Sequence, residues 1–433
     1  MVSFMREMKN SGIEWIGDIP AAWKLKKGKF LFAQRNEKGN SITLQLLSPT
    51  QKYGVIPQSL YEELSGMKAV KLSEDVSLTD FKSIYSGDFC ISLRSFQGGF
   101  EYSQYNGVVS PAYQVFYKTT EDTFDGFYRY MFKEQGFIAY MTSFTKTFRD
   151  GKSISFLDFS NSLLPLPPFA EQKKIAEFLD HQCAEIDAVI AKTKETIEEY
   201  KKLKQSIITE AVTKGIRGER PMKDSGIEWV GDVPVEWDVS ILKRYCRFKT
   251  GATPSTTNSE WFEGDLNWFT PGDFSDNYYL IDSQRKLSDN AKTDGVAVII
   301  PNNTVVIVGI GGTAGKIGLT TNECSCNQQI TALIAESVHY KYLMYWMVAN
   351  AKYLKDTALY TTLPILNNET IGEYLFILPT SKIEQKEIAD YLDKKCAEID
   401  TLIAKKTALL AEMESYKKSV IYEYVTGKKE VTV

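Results

Sequence analysis

Two basic clusters and one glycine-rich run hold the side chains of this chain that could do most for a ligand. Arg94, Ser95 and Gln97 follow the apolar run Phe89–Leu93 and end in the turn Gly98-Gly99. Lys146, Arg149 and Lys152 crowd around a further turn at Gly151. In the second half, Thr250-Gly251-Ala252-Thr253-Pro254-Ser255, then Thr313 and Lys316, then Asn327-Gln328-Gln329 repeat the mixture of hydroxyl, amide and cation. These types share one chemistry. Arginine can grip a guanine edge through two hydrogen bonds, and glutamine or asparagine an adenine edge. Lysine, serine and threonine suit phosphates. Taken singly, each is also what a solvated loop carries.

Catalytic constellations are thin. His181 and His339 are the only histidines, which leaves little for a triad or a metal enzyme. Val305–Val308 running into Gly309-Ile310-Gly311-Gly312-Thr313-Ala314-Gly315-Lys316 invites a nucleotide-binding reading. A phosphate loop would need Ser or Thr after the lysine, and Ile317 stands there. A dinucleotide fingerprint would need a crossover helix next, whereas Ile317–Thr321 reads as strand and turn. The alternative is a glycine hairpin that lets backbone approach another polymer. Cys324 and Cys326 have no second pair at ligand spacing, so no metal is expected. The six cysteines are expected to be buried free thiols.

The elements that must position these residues are stated twice. Ser11-Gly12-Ile13-Glu14-Trp15 returns 214 residues later as Ser225-Gly226-Ile227-Glu228-Trp229, and Cys183-Ala184-Glu185-Ile186-Asp187 returns 213 later as Cys396-Ala397-Glu398-Ile399-Asp400. So long a period is a duplicated domain pair rather than a solenoid. Each half opens on a signature (8–23 and 222–237) too dense in Gly and Pro for a long helix, in which Trp15, Trp23, Trp229 and Trp237 read as packing anchors. Mixed stretches follow, 24–165 and 238–378. Phe89–Leu93, Ala297–Ile300 and Val305–Val308 read as strands, and Phe127–Phe132 and Tyr340–Leu354 as helices. The two stretches barely resemble each other although their flanks match, which suggests one scaffold carrying two readers.

Each half closes on a predicted long helix, Glu171–Val212 and Glu384–Val425, with apolar residues at three-four spacing and no Pro or Gly inside. Ile175, Leu179, Ile186, Ile197, Leu203 and Ile207 mark the stripe of the first. Ile388, Leu392, Ile399, Leu402, Met413 and Val420 mark that of the second. Gly215 and Gly427 stand where a terminating glycine belongs. Neither stripe is stable in water alone, so the two copies are expected to pair antiparallel. The first signature is then expected against the end of the second helix.

The fold expected is mixed α/β (α+β): two globular domains separated by two long antiparallel helices, with internal pseudo-two-fold symmetry. The boundaries read as 1–165, 166–221, 222–378 and 379–433. No apolar run reaches the length of a membrane span, and the N-terminus lacks the pattern of a secretory leader, so a cytoplasmic location is expected. The net charge of −4 argues against a stand-alone nucleic-acid binder. Excluding the helices, the first variable stretch leans positive by roughly three and the second negative by roughly three.

In order, these pieces resemble the specificity subunit of type I restriction-modification enzymes. The pieces are Gly12-Ile13-Glu14-Trp15-Ile16-Gly17-Asp18-Ile19-Pro20 and its copy at 226–234, Ser110-Pro111-Ala112-Tyr113, Leu166-Pro167-Pro168-Phe169-Ala170-Glu171-Gln172, Thr250–Pro254, Gly312–Lys316 and Asn327-Gln328. The second copy departs at Pro379-Thr380-Ser381, which lacks the double Pro. The resemblance implies a non-catalytic subunit whose two target-recognition domains each read half of a split DNA site, with the helices setting the unread gap. It implies two methyltransferase subunits using S-adenosylmethionine, restriction subunits hydrolysing ATP with Mg, and double-stranded DNA as partners, and no cofactor in this chain. A fused methyltransferase or nuclease, and a coiled-coil adaptor without DNA specificity, are the competing classes.

Overall fold

The computed structural model describes residues 6–39, 45–68, 78–91, 99–144, 154–275, 277–356, 359–360 and 364–431. Helix one runs Phe169–Lys214 and helix two Lys382–Val425. Both exceed their predicted spans by no more than two residues at either end. Helix one follows Pro167-Pro168, and the chain turns away at Gly215 and Gly427, whose φ of 78° and 71° lie in the left-handed region where glycine carries no Cβ penalty.

The chain divides into two compact units, 1–193 with 408–433, and 194–407. Each contains the first part of one long helix and the last part of the other. In unit 1 Phe178 packs against Tyr424 at 4.4 Å between ring centroids, and Lys417 reaches Asp187 at 2.6 Å. In unit 2 Lys204 reaches Asp400 at 2.8 Å, and Arg217, just past helix one, reaches Glu387 at 2.7 Å. Numbers rise along one helix as they fall along the other, so the pairing within each unit is antiparallel, as expected.

Burial explains why the helices need each other. Ile175, Leu179, Val420 and Val425 enter one core in unit 1, and Ile208, Val212, Ile388 and Leu392 enter its counterpart in unit 2. Ile186, Ile197 and Ile399 are buried as expected, and Ile207 and Met413 are half-buried. Leu203 and Leu402 are not on the seam: they are 48% and 42% exposed. The side chain turned inward beside Leu203 is Lys204, drawn to Asp400, because a strict three-four repeat drifts around an α-helix of 3.6 residues per turn.

Each signature forms a small antiparallel pair, Met8–Asn10 with Asp18–Pro20 and Met222–Asp224 with Asp232–Pro234. Trp23 and Trp237 are fully buried, while Trp15 and Trp229 are half-buried. The first signature closes on the end of helix two, as expected. Lys428 Nζ donates to the Asp18 carbonyl, and a Cβ at Gly427 would collide with the Pro20 ring.

The mixed stretches share a sheet that their sequences hide. Unit 1 orders its strands Phe32–Arg35, Gln114–Lys118, Phe89–Ile91, Phe100–Tyr102, all antiparallel. Unit 2 orders Cys246–Thr250, Ile330–Ala335, Val305–Val308, Ile317–Thr320 in the same way and adds Tyr279–Leu280 in parallel. The helices Asp125–Met131 and Tyr340–Asp356 lie where the sequence placed them. Ala297–Ile300 is not a strand: only Ile300 pairs, as a single bridge to Cys324, while Ala297 packs with Trp268 and Leu287. Its apolarity serves a satellite core. Among the described residues no helix is long and apolar enough to cross a membrane.

Leu179→Ala and Leu392→Ala remove equivalent, fully buried side chains from the two helices. Each is expected to lower unfolding free energy by about 2–5 kcal/mol in urea denaturation, and a loss below about 1 kcal/mol would show that the seam is not packed.

Candidate nucleic-acid interface

Sheet register puts the candidate loops of unit 2 at one end. Thr250 pairs with Thr331, Val308 with Ile330 and Ile307 with Ile317, so the loops after Thr250, after Val308 and before Ile330 all leave together. Gly251 lies so close to the Cys326 and Asn327 carbonyls that no Cβ fits. Ala252 N donates to Cys326 O at 2.9 Å, and Trp268 Nε1 to Ala252 O at 3.1 Å. That packing brings Thr253 to Gln328, whose side chains hydrogen-bond in the open. Asn327 is 8% exposed and braces the turn, accepting from Gln329 N at 3.1 Å and donating to Gln329 Oε1 at 2.9 Å. Asn327 is therefore a brace, and Gln328 is the side chain it offers to solvent. Ser255 sits further along the same exposed loop and bonds Thr257 at 2.7 Å. Asn368 joins from another element, linking Thr250 and Thr331, a contact that no local motif signals.

The glycine run forms a hairpin. Four of its amides are spent on backbone carbonyls: Gly309 on Gln329, Gly311 on Pro364, Ala314 on Gly311 and Gly315 on Val308. A phosphate cradle needs a run of unengaged amides, and these four bonds break that run, against the nucleotide reading. Thr313 stands exposed on the hairpin. Lys316 is exposed on the far limb and turns away from Thr253, donating to Phe274 O at 3.1 Å.

Unit 1 has the same end. Arg35 pairs with Val115, Ile91 with both Gln114 and Phe100. The turn Ser110–Tyr113, closed by Tyr113 N to Ser110 O at 3.1 Å, matches the Asn327–Ile330 turn, closed by the same bond at 3.1 Å. Pro111 and Ala112 are exposed there. Arg94, Ser95 and Gln97, and Lys146, Arg149 and Lys152, lie outside the described residues. Arg35 belongs to no motif that would single it out in the sequence. It binds Asp88 through Nε at 2.7 Å and a second nitrogen at 3.1 Å, between the rings of Tyr85 and Tyr117. Burial dominates at Asp88 and lifts its carboxyl above the usual range despite Arg35.

What ties each long helix to the rest of its unit is repeated chemistry. Glu171 accepts from Arg6 at 2.6 Å and from Trp23 Nε1 at 3.0 Å, and its equivalent Glu384 accepts from Arg220 at 2.6 Å, whose guanidinium lies over Trp237. Asp180 accepts from Tyr130 at 2.6 Å and from Arg129, and its equivalent Asp393 accepts from Tyr345 at 2.7 Å, Tyr279 at 2.9 Å and Lys341.

The remaining sequence candidates for catalysis are occupied otherwise. His181 is on the surface beside Glu185, and His339 is held below its ordinary value by burial. The six cysteines are free and buried, with the Cys324 thiol pushed up to about 12 by burial. Among the described residues no cluster of His, Cys, Asp and Glu could hold a metal.

Residues 234–412 match the family model of the type I restriction modification DNA specificity domain. The chain is 28% identical to the MjaIX specificity subunit of Methanocaldococcus jannaschii over 41% of each, and 26% identical to the MjaVIII specificity subunit of that organism over 67% of this chain and 68% of the relative. It thus spans less than half of the first relative's length. In fold it is similar to a chain solved in a study of complex assembly and conformational transition of the type I R-M system (TM-score 0.74, 17% identity, 95% of this chain and 99% of that one). It is also similar to the HsdS subunit of Thermoanaerobacter tengcongensis (TM-score 0.51, 17% identity, 95% and 98%). The resemblance read from the motifs and the mixed α/β fold with two long helices both stand.

Glu101, on the strand beside the unit 1 end, gives a pH test. Burial lifts its carboxyl to about 7, outweighing Lys133. The folded state therefore holds its proton more tightly than the unfolded chain, so this stabilisation is complete below about 4.5 and lost as pH rises through 7. Thermal denaturation of Glu101→Gln should show a flatter pH dependence across that window, and a slope equal to the parent's would mean that another group titrates.

Proposed function

We propose that this protein is the DNA sequence-recognition subunit of a type I restriction-modification complex. Each unit would read one half of a split site with the loops at its sheet end, and the helices would fix the gap between halves. One observation carries the reading. Two units share sheet order, closing turn and helix anchors, yet carry different side chains at the loops that leave the sheet. A scaffold kept constant beneath variable exposed loops suits the recognition of two different half-sites.

Partner docking has support of its own. Val189 and Leu402, 213 residues apart, are 47% and 42% exposed, and Leu203 and Tyr416, also 213 apart, are 48% and 52% exposed. By the helix register, Val189 lies beside Tyr416 in unit 1 and Leu203 beside Leu402 in unit 2. Each unit thus offers an apolar pair at the same two repeat positions to solvent, which suits two copies of one partner. That partner is read as the methyltransferase subunit. It would supply the chemistry with S-adenosylmethionine, and restriction subunits would use ATP and Mg.

Methylome sequencing of cells that carry this chain and its methyltransferase should reveal a split methylated motif that vanishes without this chain. Thr253→Val with Gln328→Ala should alter one half only. No motif, or a change in both halves, would favour a docking adaptor without DNA specificity. Deleting one heptad from both helices shortens each by roughly 10 Å, about three base-pair steps, so the gap should shrink accordingly. Native mass spectrometry adds a separate check: Leu203→Ser with Leu402→Ser should cost one of two methyltransferase copies, and retention of both would exclude this patch as the dock.

A further inference from the structure

Unit 2 contains a cavity of about 630 Å³ whose charge is lopsided. Lys201, Lys204, Lys316, Lys352 and Lys355 line it against one carboxylate, Asp400. Lys204 is compensated by Asp400, and Lys201 reaches Glu198 at 3.0 Å. Lys316 Nζ gives one of its three donors to the Phe274 carbonyl. Lys352 and Lys355 are exposed on the helix Tyr340–Asp356, and neither forms an ion pair among the described residues. Three ammoniums thus face the opening without a matching anion, in a variable stretch that leans negative elsewhere.

The position of this charge decides among ligands. Lys316 ends the hairpin that carries Thr313, three residues away and so within about 11 Å. A base edge read from Thr313 or Gln328 would lie in a groove roughly 12 Å wide, which brings the phosphates bordering it to the distance of Lys316. Lys352 and Lys355 stand one helical turn apart on one face, about 5–6 Å between Cβ atoms, a spacing suited to phosphates along one strand. We propose that the cavity rim grips the sugar–phosphate backbone of one DNA strand beside the half-site read by unit 2. This rests on the DNA-recognition reading above and adds a sequence-independent contact to it. Its site lies away from Thr253 and Gln328, so affinity and base choice are separable here.

The test uses the full chain assembled with its methyltransferase subunits and a labelled duplex bearing the methylome-derived site. Binding is followed by fluorescence anisotropy between about 50 and 200 mM salt. Lys352→Gln with Lys355→Gln should make the slope of log K against log salt shallower by about two, since each lost phosphate contact removes about 0.9, with the preferred motif unchanged. Lys352→Glu with Lys355→Glu should weaken binding further. Both positions are exposed, and an unchanged melting temperature certifies the fold. An unaltered salt slope overturns the proposal. So does a variant that binds DNA normally but loses a methyltransferase subunit, which would assign the rim to an acidic protein surface. If the parent complex shows no sequence preference at all, the failure lies with the recognition reading instead.

Discussion

The burial of two apolar stripes against each other is the constraint on which everything else in this chain depends. A helix such as Phe169–Lys214 has an apolar face that cannot remain in water, and among the described residues one other helix, Lys382–Val425, is of comparable length to cover it. Packing supplies the energy through Leu179, Leu392 and their neighbours, while the ion pairs Asp187–Lys417 and Lys204–Asp400 set the register. Pairs with one half-exposed partner contribute at most about 1 kcal/mol, too little to hold the helices but enough to disfavour a shifted alignment. Because each pair is the other displaced by 213 residues, one register satisfies both.

Other carboxylates of the long helices tie them to the rest of each unit. Glu384 is 2% exposed and needs Arg220, since a buried charge without a partner is costly. Asp180 and Asp393 are grasped by tyrosine hydroxyls from the globular part of their own unit. The grasping residues stand at equivalent positions: Phe124 N and His339 N donate to Gln172 and Gln385, and Phe127 and Tyr342 pack edge-on to Trp23 and Trp237, which makes Tyr130 and Tyr345 counterparts. The contact with the helix is thus made by the same residue type at the same place in both units, although the stretches around it differ. That is the behaviour expected where attachment to the helix is constrained and the remaining surface is not.

What was legible in the sequence divides along this line. Helix ends, terminating glycines, buried tryptophans and the closure of the first signature on helix two all followed from periodicity and repetition, because local propensity and global packing agree there. Leu203 and Leu402 were misassigned because hydrophobicity alone does not reveal which side of a drifting stripe faces solvent. The shared sheet order escaped notice because short strands need only apolar residues of β-forming type, so Phe89–Ile91 and Val305–Val308 can be equivalent with no identity at all. Arg35 and Asn368 were invisible for another reason: Asp88, Thr250 and Thr331, which fix them, are distant in sequence. Of the residues proposed to touch a ligand, the hairpin and the two loops beside it came together. Asn327 proved to support its neighbour rather than face solvent.

An acidic reader of an acidic polymer has to concentrate its positive charge. At 0.15 M salt the Debye length is about 8 Å, so a phosphate senses mainly the charges within one or two side-chain lengths and little of the chain's net −4. Overall charge then governs nonspecific attraction, while local clusters govern contact. A chain of this kind gains from having few cations away from its loops, since scattered ones would bind any DNA and dilute the difference between sites. Lys316, Lys352 and Lys355 beside the loops of a stretch that is otherwise net negative are an arrangement of that sort. Weak general attraction and strong local grip are compatible because screening separates their ranges, and the three residues from Thr313 to Lys316 are enough to place base-reading and backbone-holding groups on opposite sides of that divide.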